Sequence, residues 1–371
     1  MSLQKLRVAT ILGTRPEIIR LSAIIKRASG VFEHTLIHTG QNYDFSLNRV
    51  FFEDLGVSPP DFNLNVVGNN LGETLGNIIS KTYKILSDIR PDAVLILGDT
   101  NSALSAISAK RLKIPVFHIE AGNRCFDENS PEESNRRMID HISDVNLPCS
   151  EFAKQNLLRE GMHPRFTFVV GSPMLEVLNT RKKSAVLSDV GLHSNEYILF
   201  SAHREENIDN EDNFKSLMDA VNGLAEQYSL PVIFSAHPRC RKAIIGRNIE
   251  FFPLVRLYEP FSFSDYIELQ INSRCVVSDS GTLAEESSIL GFPAVSARTS
   301  TERQEVLSHG AMILGGISRQ SILQAVEMAI SFKDVNRSVV PEYSHDHVSL
   351  RVCEIIQSYT EIVNRMVWRK L

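Results

Sequence analysis

The chain has 371 residues, enough for two domains of ordinary size, and its 43% hydrophobic content supports sizeable cores. Its 44 acidic and 39 basic residues leave a net charge of -5, and Lys and Arg form no stripe along the sequence. This balance argues against a nucleic acid or an anionic membrane as partner and favours a small molecule.

The cysteines and the start of the chain indicate a soluble protein of a reducing compartment. The five cysteines are odd in number and never spaced C-x-x-C, which argues against disulfides and structural zinc. The HDH at 345–347 lacks further ligand-type neighbours, so we expect no metal site. The first strand begins almost at once without a cationic-then-apolar stretch, so we expect no leader, and no apolar run approaches the ~20 residues that span a bilayer. We therefore expect no membrane segment and a cytoplasmic location.

Strand-like apolar runs alternate with amphipathic stretches along the first half of the chain. In order, the pairs are RVATILG with PEIIRLSAIIKRA, HTLIHTG with DFSLNRVFFEDLG, DAVLILG with SALSAISAKRLK, and PVFHIEAG with PEESNRRMIDHIS. Such alternation predicts a parallel sheet with crossover helices, that is, an α/β fold.

A second series of the same kind begins near residue 197. Its apolar runs are YILFSA, PVIFSA, RCVVSDS and PAVSAR, and helix-like segments separate them. The polar stretch 171–196 lies between the two series and marks the boundary. The tail carries helical spacing of Val352, Ile356 and Tyr359, which indicates a closing helix. The chain is therefore expected to form two α/β halves.

Six apolar runs end in charged or hydroxyl-bearing residues, which predicts an active-site edge. Open α/β sheets bind their ligands at the carboxyl ends of the strands. The most informative run is IPVFHI, because Glu120 follows it and ionisable residues crowd the stretch up to residue 141. One such ending is explained equally well as a turn, but six together are not. The residues that follow the runs include Arg15, Asp99, Glu120, His203, His237 and Gly281.

Two of these endings are typical of anion sites. In GTRPEIIR (13–20) the backbone N–H groups of a helix start, together with Arg15, would bind an anion, although an ordinary turn explains this motif equally well. In SDSGTLAEE (278–286) the segment Ser280–Thr282 would donate to phosphate oxygens, and Glu285 or Glu286 would take ribose hydroxyls. A plain N-cap is the less favoured alternative there.

Several common signatures are absent from the sequence. There is no G-x-x-x-x-G-K-[ST], no G-x-G-x-x-G after a strand and no G-x-S-x-G. Their absence disfavours a Walker-type phosphate site, a dissociable nicotinamide cofactor and an α/β-hydrolase. His203 and His237 are each more often structural than catalytic when taken alone, but at strand ends beside Arg they are placed to meet a diphosphate or a sugar.

Taken in order, nine segments resemble the UDP-N-acetylglucosamine 2-epimerase family from about residue 8 to residue 310. They are GTRPE, HTGQNYD, GDTNS, HIEAGNR, PEESNRR, SAHRE, HPR, SDSGTLAEE and TSTERQE. The resemblance implies two Rossmann-like domains facing a cleft, as in B-type glycosyltransferases. Residues 1–171 with the returning helix 350–371 would form the first domain, and residues 172–349 would form the second, UDP-binding domain. It also implies a UDP-sugar substrate, no cofactor and a homodimer.

The same resemblance implies a mechanism and a set of site residues. A carboxylate base removes the C2 proton of a UDP-N-acetylhexosamine as UDP leaves C1, and UDP then adds back with protonation on the opposite face. The implied catalytic residues are Asp99, Glu120, Glu132 and His203. The implied substrate-binding residues are Arg15, Arg20, Arg136, His237, Ser280, Gly281, Thr282 and Glu286. Many family members have Lys at the position of Arg20, which changes hydrogen-bond geometry but retains charge.

The substrate and the outcome of the reaction stay open at this level. GNRCFDENSPEESNRR, with HTGQNYD, more closely resembles the branch that acts on UDP-2-acetamido-2,6-dideoxy-L-hexoses and forms UDP-N-acetyl-L-fucosamine for surface polysaccharide. A hydrolysing branch, which releases N-acetylmannosamine, shares the first half-reaction. A retaining glycosyltransferase of the same architecture is the alternative enzyme class, and a non-catalytic nucleotide-sugar sensor is the alternative outside catalysis.

Overall fold

The structure of the protein is a computed structural model that describes residues 4–41, 52, 54–333 and 339–370. Its contacts divide the chain into two compact units. Unit 1 comprises Met1–Arg124, Ser130–Thr180 and Glu342–Leu371, and unit 2 comprises Cys125–Asn129 and Arg181–Pro341. The sequence-derived domains, 1–171 with 350–371 and 172–349, stay a prediction about which segments fold independently.

Unit 1 contains a six-stranded, all-parallel sheet with the strand order β3-β2-β1-β4-β5-β6. The strands are β1 (Arg7–Leu12), β2 (Glu33–His38), β3 (Phe62–Asn63), β4 (Ala93–Leu97), β5 (Val116–Ile119) and β6 (Val145–Leu147). Residues 8–12, 93–97 and 116–119 are buried throughout, because helices cover both faces of a parallel sheet.

The helices of unit 1 are α1 (Arg15–Val31), α2 (Leu71–Ile89), α3 (Ser105–Arg111), α4 (Pro131–Ile142), α5 (Glu151–Arg159), α6 (Met174–Asn179) and α15 (Val348–Met366). Pro16 and Pro131 occupy first-turn positions of α1 and α4, where a missing N–H costs nothing. The C-terminal helix α15 packs against α1, as predicted. The helix predicted at residues 44–56 lies largely outside the described residues.

Unit 2 repeats this architecture with a sheet of order β12-β11-β10-β7-β8-β9. The strands are β7 (Ile198–Ala202), β8 (Val232–Ala236), β9 (Val255–Tyr258), β10 (Cys275–Ser278), β11 (Ala294–Ser296) and β12 (Ile313–Leu314). The helices are α7 (Val186–Asp189), α8 (Glu205–Ile208), α9 (Glu211–Tyr228), α10 (Pro238–Gly246), α11 (Phe263–Asn272), α12 (Leu283–Leu290), α13 (Gln304–Ser308) and α14 (Arg319–Ser331). The core of one face combines Phe200 and Phe234 with Leu217 of α9 and Val326 of α14.

Both sheets follow the doubly wound order, in which the direction along the sheet in which successive strands are added reverses once. The reversal lies between β1 and β4 in unit 1 and between β7 and β10 in unit 2. Such a switch point opens a crevice at the carboxyl ends of the two strands, and ligands of open α/β sheets bind there. The predicted α/β class is confirmed, and its topology directs attention to the residues that follow β1, β4, β7 and β10. Within the described residues, no helix is long and apolar enough to cross a membrane.

Candidate active site

Glu120 directly follows β5, next to the switch point of unit 1. Its carboxylate is buried and accepts hydrogen bonds from Arg20 Nη1 at 2.6 and 2.5 Å, and from Asn123 Nδ2 at 3.3 Å. Arg20 lies one turn into α1, so the pair joins two predicted site residues that are far apart in sequence. A buried carboxylate without hydrogen-bonded partners would destabilise the fold, so these contacts account for the position of Glu120.

The backbone of Glu120 is in the left-handed region, with φ of 67°. The turn directs its carboxylate back over β4, where a Cβ placed on Gly98 would lie 3.6 Å from Glu120 Oε2. A non-glycine residue in this region costs on the order of 1 kcal/mol and persists only where its surroundings hold it. The Glu120 carboxylate therefore lies next to Gly98, the residue that precedes Asp99.

Asp99 follows β4 and is held by α4. Arg136 Nε donates to Asp99 Oδ2 at 2.7 Å, and Asn135 Nδ2 donates to the Asp99 carbonyl at 2.9 Å. Arg136 is itself buried and also donates through Nη1 to the buried Glu133 at 2.8 Å. The structure thus pairs two predicted acids, Asp99 and Glu120, each with a predicted substrate-binding arginine.

Glu132 and Arg15 are the remaining predicted site residues of unit 1. Glu132 lies in the first turn of α4, is half-buried and accepts a hydrogen bond from Ser130 Oγ at 2.9 Å. Arg15 is the first residue of α1, after β1, and is also half-buried. Both therefore stand at the same carboxyl edge as Asp99. Asn42, Tyr43 and Asp44 of the HTGQNYD segment lie outside the described residues.

The amides at the start of α1 are taken by the helix itself. Glu17 Oε2 accepts from the Gly13 and Thr14 amides at 3.0 and 2.8 Å and from Thr14 Oγ1 at 2.7 Å, which is a capping box. These two amides are thus bonded to Glu17 in the structure, a contact that the anion-site interpretation of this turn did not foresee. Gly13 is required, since a Cβ there would lie 1.9 Å from Thr39 Oγ1.

Asp279 organises the corresponding edge of unit 2. It follows β10, is fully buried and accepts from the His203 and Arg204 amides at 3.0 Å, while His203 Nδ1 lies 3.1 Å from Asp279 Oδ1. Burial alone would raise the pKa of Asp279, but the charge and hydrogen bond of His203 and the Arg204 contacts outweigh it and lower the pKa to about 2. This carboxylate ties the loop after β7 to the loop after β10.

Ser280, Gly281 and Thr282 form the turn from β10 into α12. Ser280 Oγ and Thr282 Oγ1 lie 3.0 Å apart, and the Ser280 amide donates to Ser278 Oγ at 3.0 Å. No Thr282 side-chain hydrogen bond caps α12, unlike a plain N-cap. The three residues are half-buried at the helix start, where N–H groups favour an anion.

Glu286 and His237 are the remaining predicted residues of unit 2. Glu286 is buried on α12 and accepts from Gln270 Nε2 at 2.7 Å. His237 is exposed directly after β8, and its Nδ1 accepts from the Arg239 amide at 3.4 Å. Arg239 is in turn paired with Glu205 and Asp209 of the segment after β7.

Sequence reasoning missed several buried charged residues that support the predicted ones. Glu133, Asp140, Arg124 and Asp279 are all nearly inaccessible. Glu133, Arg124 and Asp279 lie inside the motif segments, and Asp140 lies three residues after PEESNRR; charged residues in these stretches outnumber what a solvated turn needs. A sequence pattern could have identified them. It is an acidic or basic residue on the apolar face of a helix, or at a strand end next to a small residue.

The comparisons with known proteins identify the family of the chain. The family model of UDP-N-acetylglucosamine 2-epimerase matches residues 25–357. The chain belongs to the UDP-N-acetylglucosamine 2-epimerase family. It is therefore an isomerase of the family that the sequence motifs indicated.

Solved structures in the family are similar over nearly the whole chain. The UDP-N-acetylglucosamine 2-epimerase of Rickettsia bellii is 42% identical with a TM-score of 0.93, covering 99% of this chain and 100% of that one. The Methanocaldococcus jannaschii UDP-GlcNAc 2-epimerase, in complex with UDP-GlcNAc and UDP, is 34% identical with a TM-score of 0.89, covering 95% and 100%. These likenesses confirm the predicted glycosyltransferase-B-like α/β fold.

Curated relatives in the family carry more than one substrate name. The M. jannaschii UDP-N-acetylglucosamine 2-epimerase is 36% identical over 88% of this chain and 93% of its own length. The UDP-2,3-diacetamido-2,3-dideoxy-D-glucuronate 2-epimerase of Pseudomonas aeruginosa is 32% identical over 88% and 92%. Membership of the family therefore leaves the sugar to be determined.

Proposed function

We propose that this epimerase inverts C2 of a UDP-N-acetylhexosamine by elimination and readdition of UDP. The observation that carries the proposal is the pair of carboxylates, Asp99 and Glu120, at the ends of the adjacent strands β4 and β5, each held by a buried arginine. Two acid/base groups at one sheet edge suit a reaction in which a proton leaves one face of C2 and returns to the other.

The elimination needs a base and a leaving group that stays bound. The base takes the C2 proton, the C–H electron pair becomes the C1=C2 bond, and the C1–O bond breaks with its electrons going to the UDP oxygen. In the return step that oxygen attacks C1 and the opposite face of C2 is protonated. UDP is regenerated within the sugar nucleotide, so the overall reaction consumes nothing.

We assign proton transfer to Asp99, Glu120 and Glu132, with the order of their roles left to experiment. Arg20 supports this assignment, because its charged hydrogen bonds hold the Glu120 carboxylate in a fixed orientation. Arg136 does the same for Asp99. Both arginines, with Arg15, also supply positive charge for a diphosphate.

The loops of unit 2 are proposed to hold UDP. His203 and the segment Ser280–Thr282 supply an imidazole, hydroxyl groups and helix-start N–H groups for phosphate oxygens. His237 is exposed at the end of β8 and is proposed to contact the same ligand. Glu286, the buried carboxylate of α12, is the proposed partner of the ribose hydroxyls.

We further propose that the enzyme is a cytoplasmic homodimer that needs no cofactor and supplies a precursor of surface polysaccharide. The family resemblance supports the dimer, and light scattering of the purified protein tests it. A monomer at working concentration would contradict it. The sugar is proposed to be either N-acetylglucosamine/N-acetylmannosamine or a 6-deoxy-L-hexosamine, because the segment from Gly122 to Arg137 matches the latter branch more closely.

Proton NMR in D₂O tests the reaction and the sugar together. UDP-GlcNAc and UDP-N-acetyl-L-fucosamine are incubated separately with the enzyme, and the H2 and anomeric signals are followed. Loss of H2 with appearance of a second UDP-sugar is the expected result for the true substrate. Release of free sugar and UDP would instead identify the hydrolysing reaction, and unchanged spectra with every UDP-N-acetylhexosamine would overturn the proposal.

Three acid variants test the assignment of the site. Asp99→Asn, Glu120→Gln and Glu132→Gln are each expected to lower turnover by about 100-fold or more while UDP still binds, since each removes a proton-transfer group. Glu33→Gln is the control, because Glu33 is an exposed acid at the opposite end of the same sheet. Near-normal turnover in all three acid variants would contradict the assignment.

A further inference from the structure

Three ionisable side chains lie in the interior of unit 1 directly behind the Glu120 turn. Asp140, His118 and Arg124 are 0%, 1% and 1% exposed, respectively. Removing charged groups from water is expensive, and apolar side chains of similar size would often be as stabilising. The cluster therefore calls for an explanation other than stability.

Asp140 is the centre of this cluster. Its carboxylate accepts from the Gly122 amide at 3.1 and 3.2 Å and from Arg124 Nη1 at 2.7 Å, and its Oδ1 lies 2.9 Å from His118 Nδ1. Burial alone would lower the pKa of Arg124, but hydrogen bonds and charges of Glu160 and Asp140 raise it above its usual value. Arg124 therefore stays a cation that compensates Asp140.

The cluster also holds the end of the neighbouring strand β4 and the backbone that follows Glu120. His118 Nε2 lies 2.8 Å from the carbonyl of Gly98, directly after β4, and Arg124 Nη1 donates to the Asn123 carbonyl at 2.7 Å. Together with the Gly122 amide, these contacts hold Gly98, which lies against the Glu120 carboxylate, and two peptide groups of the turn that follows Glu120.

The Glu120 turn needs such support. Glu120 is left-handed with φ of 67°, and Gly122 follows with φ of 82° in a space where a Cβ would lie 2.2 Å from the Ala153 carbonyl. A non-glycine residue in a sparsely populated backbone region relaxes unless surrounding contacts over-determine it. A shift of about 1 Å in the position of a reacting group is enough to cost about 100-fold in rate.

We infer that Asp140, acting with His118 and Arg124, is a positioning residue that holds the Glu120 carboxylate in its place above Gly98. The inference rests on the proposed role of Glu120 in proton transfer. Asp140 touches no reacting atom in this account, and its effect passes through the backbone of the turn.

The test compares Asp140→Asn with Asp144→Asn, a matched change at a buried acid that bonds to the other end of β5. Asp144 is also buried, accepts from the Val116 amide at 2.9 Å and from Lys110 Nζ at 2.5 Å, and so holds the opposite end of β5. Asp140→Asn and Asp144→Asn should both lower the melting temperature. Only Asp140→Asn should lower kcat, by about 10- to 100-fold, with KM within about threefold of the wild-type value.

An equal loss of kcat in the two variants would overturn the inference, because it would reduce Asp140 to a structural residue. His118→Gln is the second variant, and it decides the matter if Asp140→Asn does not fold. It keeps a donor for the Gly98 carbonyl but loses the Asp140 contact. It should therefore show the same kcat loss as Asp140→Asn, with a smaller drop in melting temperature than that variant. Unchanged kcat in His118→Gln would contradict the inference that Asp140 acts together with His118 and Arg124.

A crystal structure of Asp140→Asn separates this inference from the proposed function. We expect Glu120 to leave the left-handed region or to lose its contact with Arg20, which can be observed without any substrate. If the wild-type enzyme exchanges no C2 proton, the proposed function fails while this measurement still tests the positioning. An unchanged Glu120 turn in the variant would overturn the positioning even if turnover is confirmed.

Discussion

Glu17 is a buried carboxyl group, and burial disfavours its charged form. Burial raises its pKa from 4.5 to about 7, although the hydrogen bonds from Thr14, Gly13 and Thr100 act in the opposite direction. Thr100 belongs to the loop of Asp99, so Glu17 links the turn after β1 to the turn after β4. Near neutral pH the protein therefore carries a partly protonated acid beside its proposed site.

This raised pKa predicts a pH-dependent stability. Because the folded state holds the Glu17 proton when the unfolded chain has lost it, stability falls as pH rises from 4.5 to about 7, and the loss is complete above that range. At ~1.4 kcal/mol per pKa unit the loss is on the order of 3 kcal/mol. Glu17→Gln stays neutral and keeps a carbonyl acceptor, so its stability should lack this pH dependence. The free energy of unfolding of the wild type minus that of Glu17→Gln should therefore fall by about 3 kcal/mol between pH 4.5 and pH 8.

Urea unfolding followed by fluorescence measures this difference, since Trp368 of unit 1 is the single tryptophan of the chain. Glu73→Gln serves as the control, because Glu73 accepts the Asn69 amide at the start of α2 but is exposed. A difference for Glu17→Gln that stays constant with pH would show that the carboxyl group has an ordinary pKa in the fold.

At the scale of elements, the strands that carry the site were predictable and the edge strands were not. β1, β4, β5, β7, β8 and β10 lie inside sheets covered on both faces, so each consists mainly of apolar residues. β9 is half exposed and β3 and β12 have two residues each, which leaves no periodic signal. The short strand β6 was missed for the same reason.

The pairing of side chains was beyond a single sequence. Arg20 and Glu120 are 100 positions apart, and only the strand order brings α1 next to the end of β5. The motifs thus predicted which residues stand at the carboxyl edge, whereas the partner of each residue depended on the register of neighbouring strands. The capping box of Glu17 was local and could have been recognised from its Thr14 and Glu17 spacing.

The C-terminal helix α15 offers a test of packing in unit 1. Ile356 is fully buried on this helix, whereas Leu350 is 39% exposed. Ile356→Ala should lower the free energy of unfolding by about 2–5 kcal/mol, because it removes methylene groups and leaves a cavity. Leu350→Ala should change it by about 0.5 kcal/mol or less. Trp368 fluorescence reports both, and equal effects would contradict the packing of α15 against α1.

At the scale of the whole molecule, the two units differ in how the chain builds them. Unit 1 is assembled from three segments, and its last segment is the far end of the chain. Unit 2 is one continuous segment, Arg181–Pro341, apart from the five residues Cys125–Asn129. All six strands of the second sheet and its buried cluster fall inside that segment. Its size is ordinary for an autonomous domain.

This difference predicts unequal autonomy of the two halves. The fragment 181–341 should fold alone, with dispersed amide signals in ¹H–¹⁵N NMR and a cooperative thermal transition. The fragment 1–180 should not, because it lacks α15 and leaves the face of α1 that packs against it open to water. A fragment 172–349 tests the boundary proposed from the sequence.

The decisive comparison is between fragment 1–180 alone and the same fragment joined by a flexible linker to residues 342–371. Restoring α15 returns its buried residues Val352, Ile356 and Val363 and covers the open face of α1 again. Folding of the linked fragment alone would show that the C-terminal segment completes unit 1. Folding of 1–180 without α15 would mean that this helix only covers a core that is already complete. Failure of the fragment 181–341 to fold would mean that the second sheet depends on the rest of the chain for its stability.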